Sequence, residues 1–292
     1  MNAIVIFLVL LSALIHALRN FYTKKANDKI VFIWLYELVG TVIFLPVFVY
    51  YLLQNGTGSF FGIAIGAVSG LLHALYWIFH GKAYETGDLS HVYPIMRSAP
   101  ALVLLFAVIF LNEQVSLIGV IGILVVAMGV YTINIKKISF SGLIEPLKHI
   151  FKEKGTQFAF LTLISVAVYS IVDKIGVGFV HPILFTYFYT FFGFFFFTPY
   201  ILYISKKSAI LKEWAVNKKS VLINGFFATF GYMLILIALT LEKVSYVTGL
   251  RQVSVVIAVL LGGHILKEKH KLIRSGASFL IFIGAFLISI AK

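Results

Sequence analysis

Apolar residues gather into ten runs of about twenty, over 2–22, 31–53, 60–82, 91–111, 115–135, 157–177, 181–204, 220–241, 245–266 and 271–291. Polar side chains inside a run are isolated, and no run alternates with period two. That pattern predicts helices in lipid. About 20 residues cross roughly 30 Å of hydrocarbon, and a helix satisfies its own backbone N–H and C=O groups where no water can. Barrel strands would be shorter and would alternate. Turn-forming residues separate the runs, as at Asn55-Gly56-Thr57-Gly58 and Asn112-Glu113-Gln114. Two longer breaks are basic. Over 138–156 apolar residues recur at helical spacing between lysines, which predicts a linker lying on the membrane surface; 205–219 is expected to be a second linker. The first run lacks a basic leader and a small-residue cleavage site, so it is read as the first span.

The chain also repeats itself. At an offset of 153 residues Ser12 meets Ser165, Asn20 meets Asp173, Tyr36 meets Tyr189, Gly40 meets Gly193 and Pro46 meets Pro199. At 155 residues Gly70 meets Gly225, Ala83 meets Ala238, Ser90 meets Ser245, Glu113 meets Glu268 and Gly129 meets Gly284. The fold class is therefore an all-α integral membrane protein of about ten transmembrane helices in two five-helix repeats, 1–137 and 157–292, joined by 138–156. Five is odd, so the second repeat is inverted relative to the first. Inverted repeats with a site near the midplane are a transporter architecture.

Composition agrees. Of 292 residues 61% are hydrophobic and 12% charged, half the charge of a soluble domain. The 24 Lys+Arg against 11 Asp+Glu sit mainly between runs, as topology signals rather than a nucleic-acid-binding face. Lys24, Lys25, Lys82, Lys136, Lys137, Lys206, Lys207, Lys218, Lys267 and Lys269 fall on alternate loops, which predicts a cell-membrane protein with both termini outside. With no cysteine, thiolate metal sites and disulfides are excluded. The histidines lack the spacing of a helical metal motif, and no nucleophile elbow or GxxxxGK[ST] loop occurs, so neither an enzyme, a metal site, a cofactor nor ATP-driven transport is expected.

Two matching stretches carry a family resemblance. Ala83 to Gln114 and Ala238 to Glu268 each contain a Ser-x-Val (Ser90–Val92, Ser245–Val247) and close on Leu-x-Glu (Leu111–Glu113, Leu266–Glu268). The chain resembles the drug/metabolite transporter superfamily in its ten-helix EamA-like branch, over essentially its whole length. HALRN at 16–20 is similar to the helix start of one subgroup, some of whose members are associated with phosphonate use. The resemblance implies a central cavity lined by helices 1, 3, 4, 6, 8 and 9, and alternating access. One departure stands out: Pro94 and Pro100 face Gly249 and Val255 across the repeat, so the halves are expected to bend differently.

A charge inside a span is costly and is a functional candidate by default. Arg97 and Arg251 offer a planar fork for carboxylate or phosphate, unless each is held in a structural ion pair. Gln252 is the repeat counterpart of Arg97. Glu37 either carries a proton or pairs with Arg19 or Arg97 as a gate, and Asp173 is the mirrored candidate, pairing with Arg251. His16 and Asn20 lie one turn apart on one helix face, as do Tyr169 and Asp173. His73, Tyr76, Trp77 and His80 form a stripe that either stacks on a ligand or packs between helices. Tyr93 and Tyr232 complete the candidate binding residues. Glu113 and Glu268 read as structural groups in their turns.

These residues point to a secondary transporter of a small anionic or zwitterionic metabolite of carboxylate, phosphate or phosphonate type. The alternative is a proton-coupled exporter of amino acids, amines or drugs, followed by a flippase of a lipid-linked substrate. Expected partners are the small-molecule substrate, membrane lipid and a coupling proton or counter-substrate. A duplicated chain supplies both halves, so a monomer suffices, and the glycines at 119, 122, 129, 276 and 284 permit close packing within the chain or in a homodimer.

Overall fold

The computed structural model describes residues 1–87, 92, 95–132, 153–257 and 271–291. They form helices α1 (Ala3–Lys25), α2 (Lys29–Asn55), α3 (Phe60–Thr86), α4 (Ala99–Leu111), α5 (Leu117–Thr132), α6 (Lys154–Gly176), α7 (Pro182–Ile204), α8 (Lys207–Leu241), α9 (Val244–Leu250) and α10 (Lys271–Ile290). Among the described residues, α1, α2, α3, α6, α7 and α8 are long and apolar enough to cross a membrane, and the rest include shorter apolar helices. Local sequence starts several of them. Asn2 accepts from the Ile4 amide at 3.0 Å, Asp28 from Ile30 and Val31 at 3.1 Å, and Ser59 from Gly62 at 3.0 Å, satisfying amides that the first turn leaves without partners. Most of the 138–156 linker lies outside the described residues.

One expectation is corrected. The stretch 205–219 is not a linker: α8 begins at Lys207 and runs through it. Its residues are good helix formers, and Glu213, 2% exposed, fixes this turn by accepting from the Asp28 amide at 3.0 Å and from Asn217 at 2.7 Å. Both halves interrupt their fourth helix within a residue or two of the same repeat position, each by its own local means. Residues 95–97 are helical, Ser98 turns, and α4 restarts at Ala99; α9 ends at Leu250, 251–252 turn, and 253–257 are helical. Pro100 has no amide to donate and its ring displaces the carbonyl of Met96, which forces the first break. In the second half three-residue bonds do the same, with Gln252 donating to the Gly249 carbonyl at 3.1 Å and Val255 to that of Gln252 at 2.8 Å.

The halves interlock so that each major contact has a mate under exchange of helix n for n+5. Helix α3 packs on α6 and α7, as α8 packs on α1 and α2; α2 meets α7, α4 meets α9 and α5 meets α10. The repeated glycines are the crossing points. A Cβ on Gly70 would lie 2.6 Å from the Gly193 amide nitrogen, and one on Gly40 would lie 3.0 Å from the Gly225 carbonyl oxygen. These are mates under the 153- and 155-residue offsets. Helices α5 and α10 run antiparallel: a Cβ on Gly122 would meet the Gly284 carbonyl at 2.9 Å, and one on Gly129 that of Ala277 at 2.8 Å. The same offset exchanges these two contacts, which requires a two-fold axis perpendicular to the helices and hence inverted halves. The glycines at 122, 129 and 284 are thus used inside the chain.

Substituting Gly70→Ala or Gly225→Ala is expected to destabilise the protein by about 1–3 kcal/mol, because the methyl group meets backbone that cannot yield without separating the helices. Gly276→Ala, where nothing lies within 4 Å, should be neutral or stabilising by up to about 1 kcal/mol. Thermal unfolding in detergent reads both, and equal melting temperatures for all three variants would refute the packing role.

Candidate functional site

A cavity of about 90 Å³ lies between the halves, room for roughly six waters or a compact metabolite at about 15 Å³ per water. The first half lines it with His16 and Arg19 of α1, Glu37 of α2 and His73, Tyr76, Trp77 and His80 of α3. The second half lines it with Thr162, Val166 and Tyr169 of α6, Tyr189 of α7 and Tyr232 of α8. The two helix breaks close it, with Met96, Arg97 and Ala99 from the first and Arg251, Gln252 and Ser254 from the second. A continuous helix would hold its carbonyls and side chains in register; the breaks free Arg97 and Gln252 at equivalent positions to enter the cavity.

The cavity is polarised along the bundle. Arg19, Glu37 and His80 come from the halves of α1, α2 and α3 nearer the lysine-rich loops. Arg19, His80, Arg97 and Arg251 are half-buried. Arg19 donates to Nδ1 of His16 at 3.1 Å and lies 5.8 Å from the Tyr36 ring centroid. Toward the opposite face the cavity ends in packed rings: His73, Tyr169, Tyr189 and Tyr232, all less than 10% exposed. Behind them Asp173, 0% exposed, accepts from Ser69 at 2.5 Å and from the Tyr232 hydroxyl. The Arg251 guanidinium lies 5.2 Å from the ring of Tyr232, whose hydroxyl donates to Asp173.

Beyond this seal, α6 and the connection between α4 and α5 grip the α8–α9 corner. Lys174 of α6 donates to the carbonyls of Leu239 at 2.5 Å and Glu242 at 2.9 Å, at the C-terminus of α8. Glu113, after α4, accepts from the Val244 amide and the Ser245 hydroxyl, both at 2.7 Å, at the N-terminus of α9. Each charge opposes the helix end it touches, the favourable sense for both dipoles. The Tyr246 hydroxyl accepts from the Ser116 amide at 3.1 Å, and its ring fills the space beside Gly119. The repeat counterpart of Lys174 is Phe21, so a lysine grip exists in one half alone.

Of the sequence candidates, His16, His73, Tyr76, Trp77, Arg97, Tyr169, Tyr232, Arg251, Gln252 and Glu37 line this cavity. Asp173 stands behind the wall. Asn20 is not among the lining residues; α1 turns Arg19 inward instead. Tyr93 lies outside the described residues, as do His91, His264 and Glu268. Arg19 enters as a cavity cation in its own right, and the expected lining from six helices gains α2 through Glu37 and α7 through Tyr189. Tyr189 was findable, since Tyr36 and Tyr189 are one of the identities between the repeats.

An interlocked inverted duplication around a charged, central cavity defines the class: a multi-pass membrane transporter. The sequence comparisons give the family. The model of the EamA-like transporter family matches residues 3–135 and again 153–290, one match per repeat, and the chain belongs to that family, within the drug/metabolite transporter superfamily. No curated protein sequence matches it. One solved crystal structure, described only as that of a protein, superposes with a TM-score of 0.68 at 17% identity, covering 98% of this chain and 97% of the other. It shares the fold.

Replacing Glu113→Gln or Lys174→Met is expected to cost about 1 kcal/mol or more each, since both remove charge-assisted hydrogen bonds. Because both hold one corner, the double variant should lose less than the two losses added. Strictly additive melting-temperature shifts would mean that the grips act independently.

Proposed function

We propose that this transporter carries a small anionic or zwitterionic metabolite, with a carboxylate, phosphate or phosphonate group, by alternating access. The carrying observation is charge. Arg19, Arg97 and Arg251 border one cavity whose sole lining carboxylate among the described residues is Glu37. Guanidinium groups at half-buried positions attract planar or tetrahedral anions and are poor hosts for a simple cation. Glu37 and Asp173 serve as gate partners for Arg19 and Arg251, and His16, Tyr76, Trp77, Gln252 and Tyr93 complete the binding set. The halves 1–137 and 157–292 rock about the cavity, which is accessible toward the lysine-rich loops and sealed at the α8–α9 corner. The lysine-rich side is cytoplasmic, both termini are outside, and the conformation is inward-facing.

The test is ligand-induced stabilisation of the purified protein. A ligand at about 100 times its dissociation constant stabilises by about 2.7 kcal/mol. Carboxylates, phosphates or phosphonates should raise the melting temperature, and Arg97→Ala should weaken binding by about thirtyfold. Stabilisation by amines or neutral drugs, undiminished in Arg97→Ala, would favour the proton-coupled exporter. Orientation has a separate check, free of background because the chain has no cysteine. On intact cells an impermeant maleimide should label Asn55→Cys and reach Lys218→Cys only after permeabilisation; the reverse pattern would invert the topology.

A further inference from the structure

The polar contacts that hold the α8–α9 corner to the rest of the protein are of an unusual kind. Lys174 of α6 reaches the carbonyls of Leu239 and Glu242. Glu113, between α4 and α5, reaches the amides of Val244 and Ser245 and the Ser245 hydroxyl. Both charged side chains therefore act mainly on backbone: the last carbonyls of α8 and the first amides of α9, the groups that helix ends leave without partners. In the hydrocarbon such groups could not be let go. Here Lys174, Glu113, Glu242 and Lys243 are half-buried, and a recess lined by Gln114, Val115, Ser116 and Lys243 opens to the surface beside them. Water can take over each contact as it breaks, so release exchanges a hydrogen bond instead of leaving one unmade. A contact of that kind suits a joint that moves.

The corner is also tied to the seal. Tyr232, on α8, donates to buried Asp173. Asp173 and Lys174 are neighbours on α6, so one turn of that helix holds both the seal and the grip. On the other side of the corner α9 has seven residues and delivers Arg251 directly to the cavity. A corner that lifts from α6 takes Tyr232 away from Asp173 and draws Arg251 with it.

We propose that Lys174 and Glu113 form a polar latch that keeps the α8–α9 corner shut over the lysine-poor mouth, and that its release opens the cavity to that side. The latch rests on the alternating-access reading above and names the contact that must break in it.

A single reporter tests it. Val166 lines the cavity, and the chain has no cysteine. Val166→Cys is labelled with an impermeant maleimide from each face, on intact cells and on inside-out vesicles, with Asn55→Cys and Lys218→Cys marking the faces. In this parent the rate from the lysine-rich face should be the greater. Glu113→Gln or Lys174→Met should raise the rate from the lysine-poor face at least about threefold and lower the other, because weakening a contact made in one state shifts the population to the second. Lys174→Arg, which keeps a cationic donor, should label as the parent does. A clamp that only stabilises the fold would raise both rates when cut, and that result, or an unchanged ratio, overturns the latch. Hydrogen exchange on the unmutated protein needs no variant. The Val244 and Ser245 amides should exchange at least about tenfold faster than those of Gly225 and Ala228 within α8, since a latch opens locally; equal protection overturns it as well. Labelling of the parent from both faces with no shift in the variants removes the latch and leaves alternating access standing. Labelling from one face only, in the parent and in every variant, overturns both.

Discussion

In lipid there is no hydrophobic force to bring one apolar helix to another, so association depends on how closely two backbones can approach. Here they touch at two equivalent points, α3 on α7 at Gly70 and Gly193, and α8 on α2 at Gly225 and Gly40. A single added carbon would meet backbone at Gly70, and a side chain together with backbone at Gly40 and Gly225. The consequence reaches the site. These crossings hold α3 against α7 and α8 against α2, and so fix where His73, Tyr189, Tyr232 and Glu37 stand relative to one another. A third contact of the same kind, α5 against α10, anchors the far end of each half.

The backbone obeys the two-fold; the side chains do not. Across the repeat His73 answers to Ala228, Glu37 to Thr190, Asp173 to Asn20 and Arg97 to Gln252. A symmetric frame gives two equivalent mouths. Asymmetric chemistry makes them unequal, with buried Asp173, its two hydroxyl donors and the Lys174 and Glu113 grips all on one side, and half-buried Arg19 and His80 on the other. Selection among ligands therefore has only one copy of each key group to work with, although the fold supplies two places for it.

Much of this was legible because the repeat encodes its own contacts. The glycines that recur at fixed offsets proved to be the crossing points, and intramembrane charge led to Arg97, Arg251, Glu37 and Asp173. What escaped was decided by long-range partners. Glu113 reads as a turn residue; that its turn partner is Val244, 131 residues on, depends on the interlock of the halves. The helix over 205–219 looks like a basic linker until Glu213 is seen to hold the start of α2. Asn20 and Arg19 are one residue apart, and only the rotation of α1 in the bundle decides which enters the cavity.

The helix breaks show why proline content misleads. Pro100 interrupts the first half by removing a donor, whereas its counterpart Val255 keeps its amide and uses it for a three-residue bond to Gln252. One break is written in a single residue and the other in the packing around Gly249, where the Ile288 side chain occupies the place a Cβ would take. Two local causes with one outcome indicate that the outcome is set by the frame. Helices α4 and α9 must each pass the midplane between helices already locked by glycine crossings, and a straight helix there would leave Arg97 and Gln252 packed along a wall. Interrupting both lets the two residues converge on the same small volume, which is the condition for a ligand to contact both halves at once.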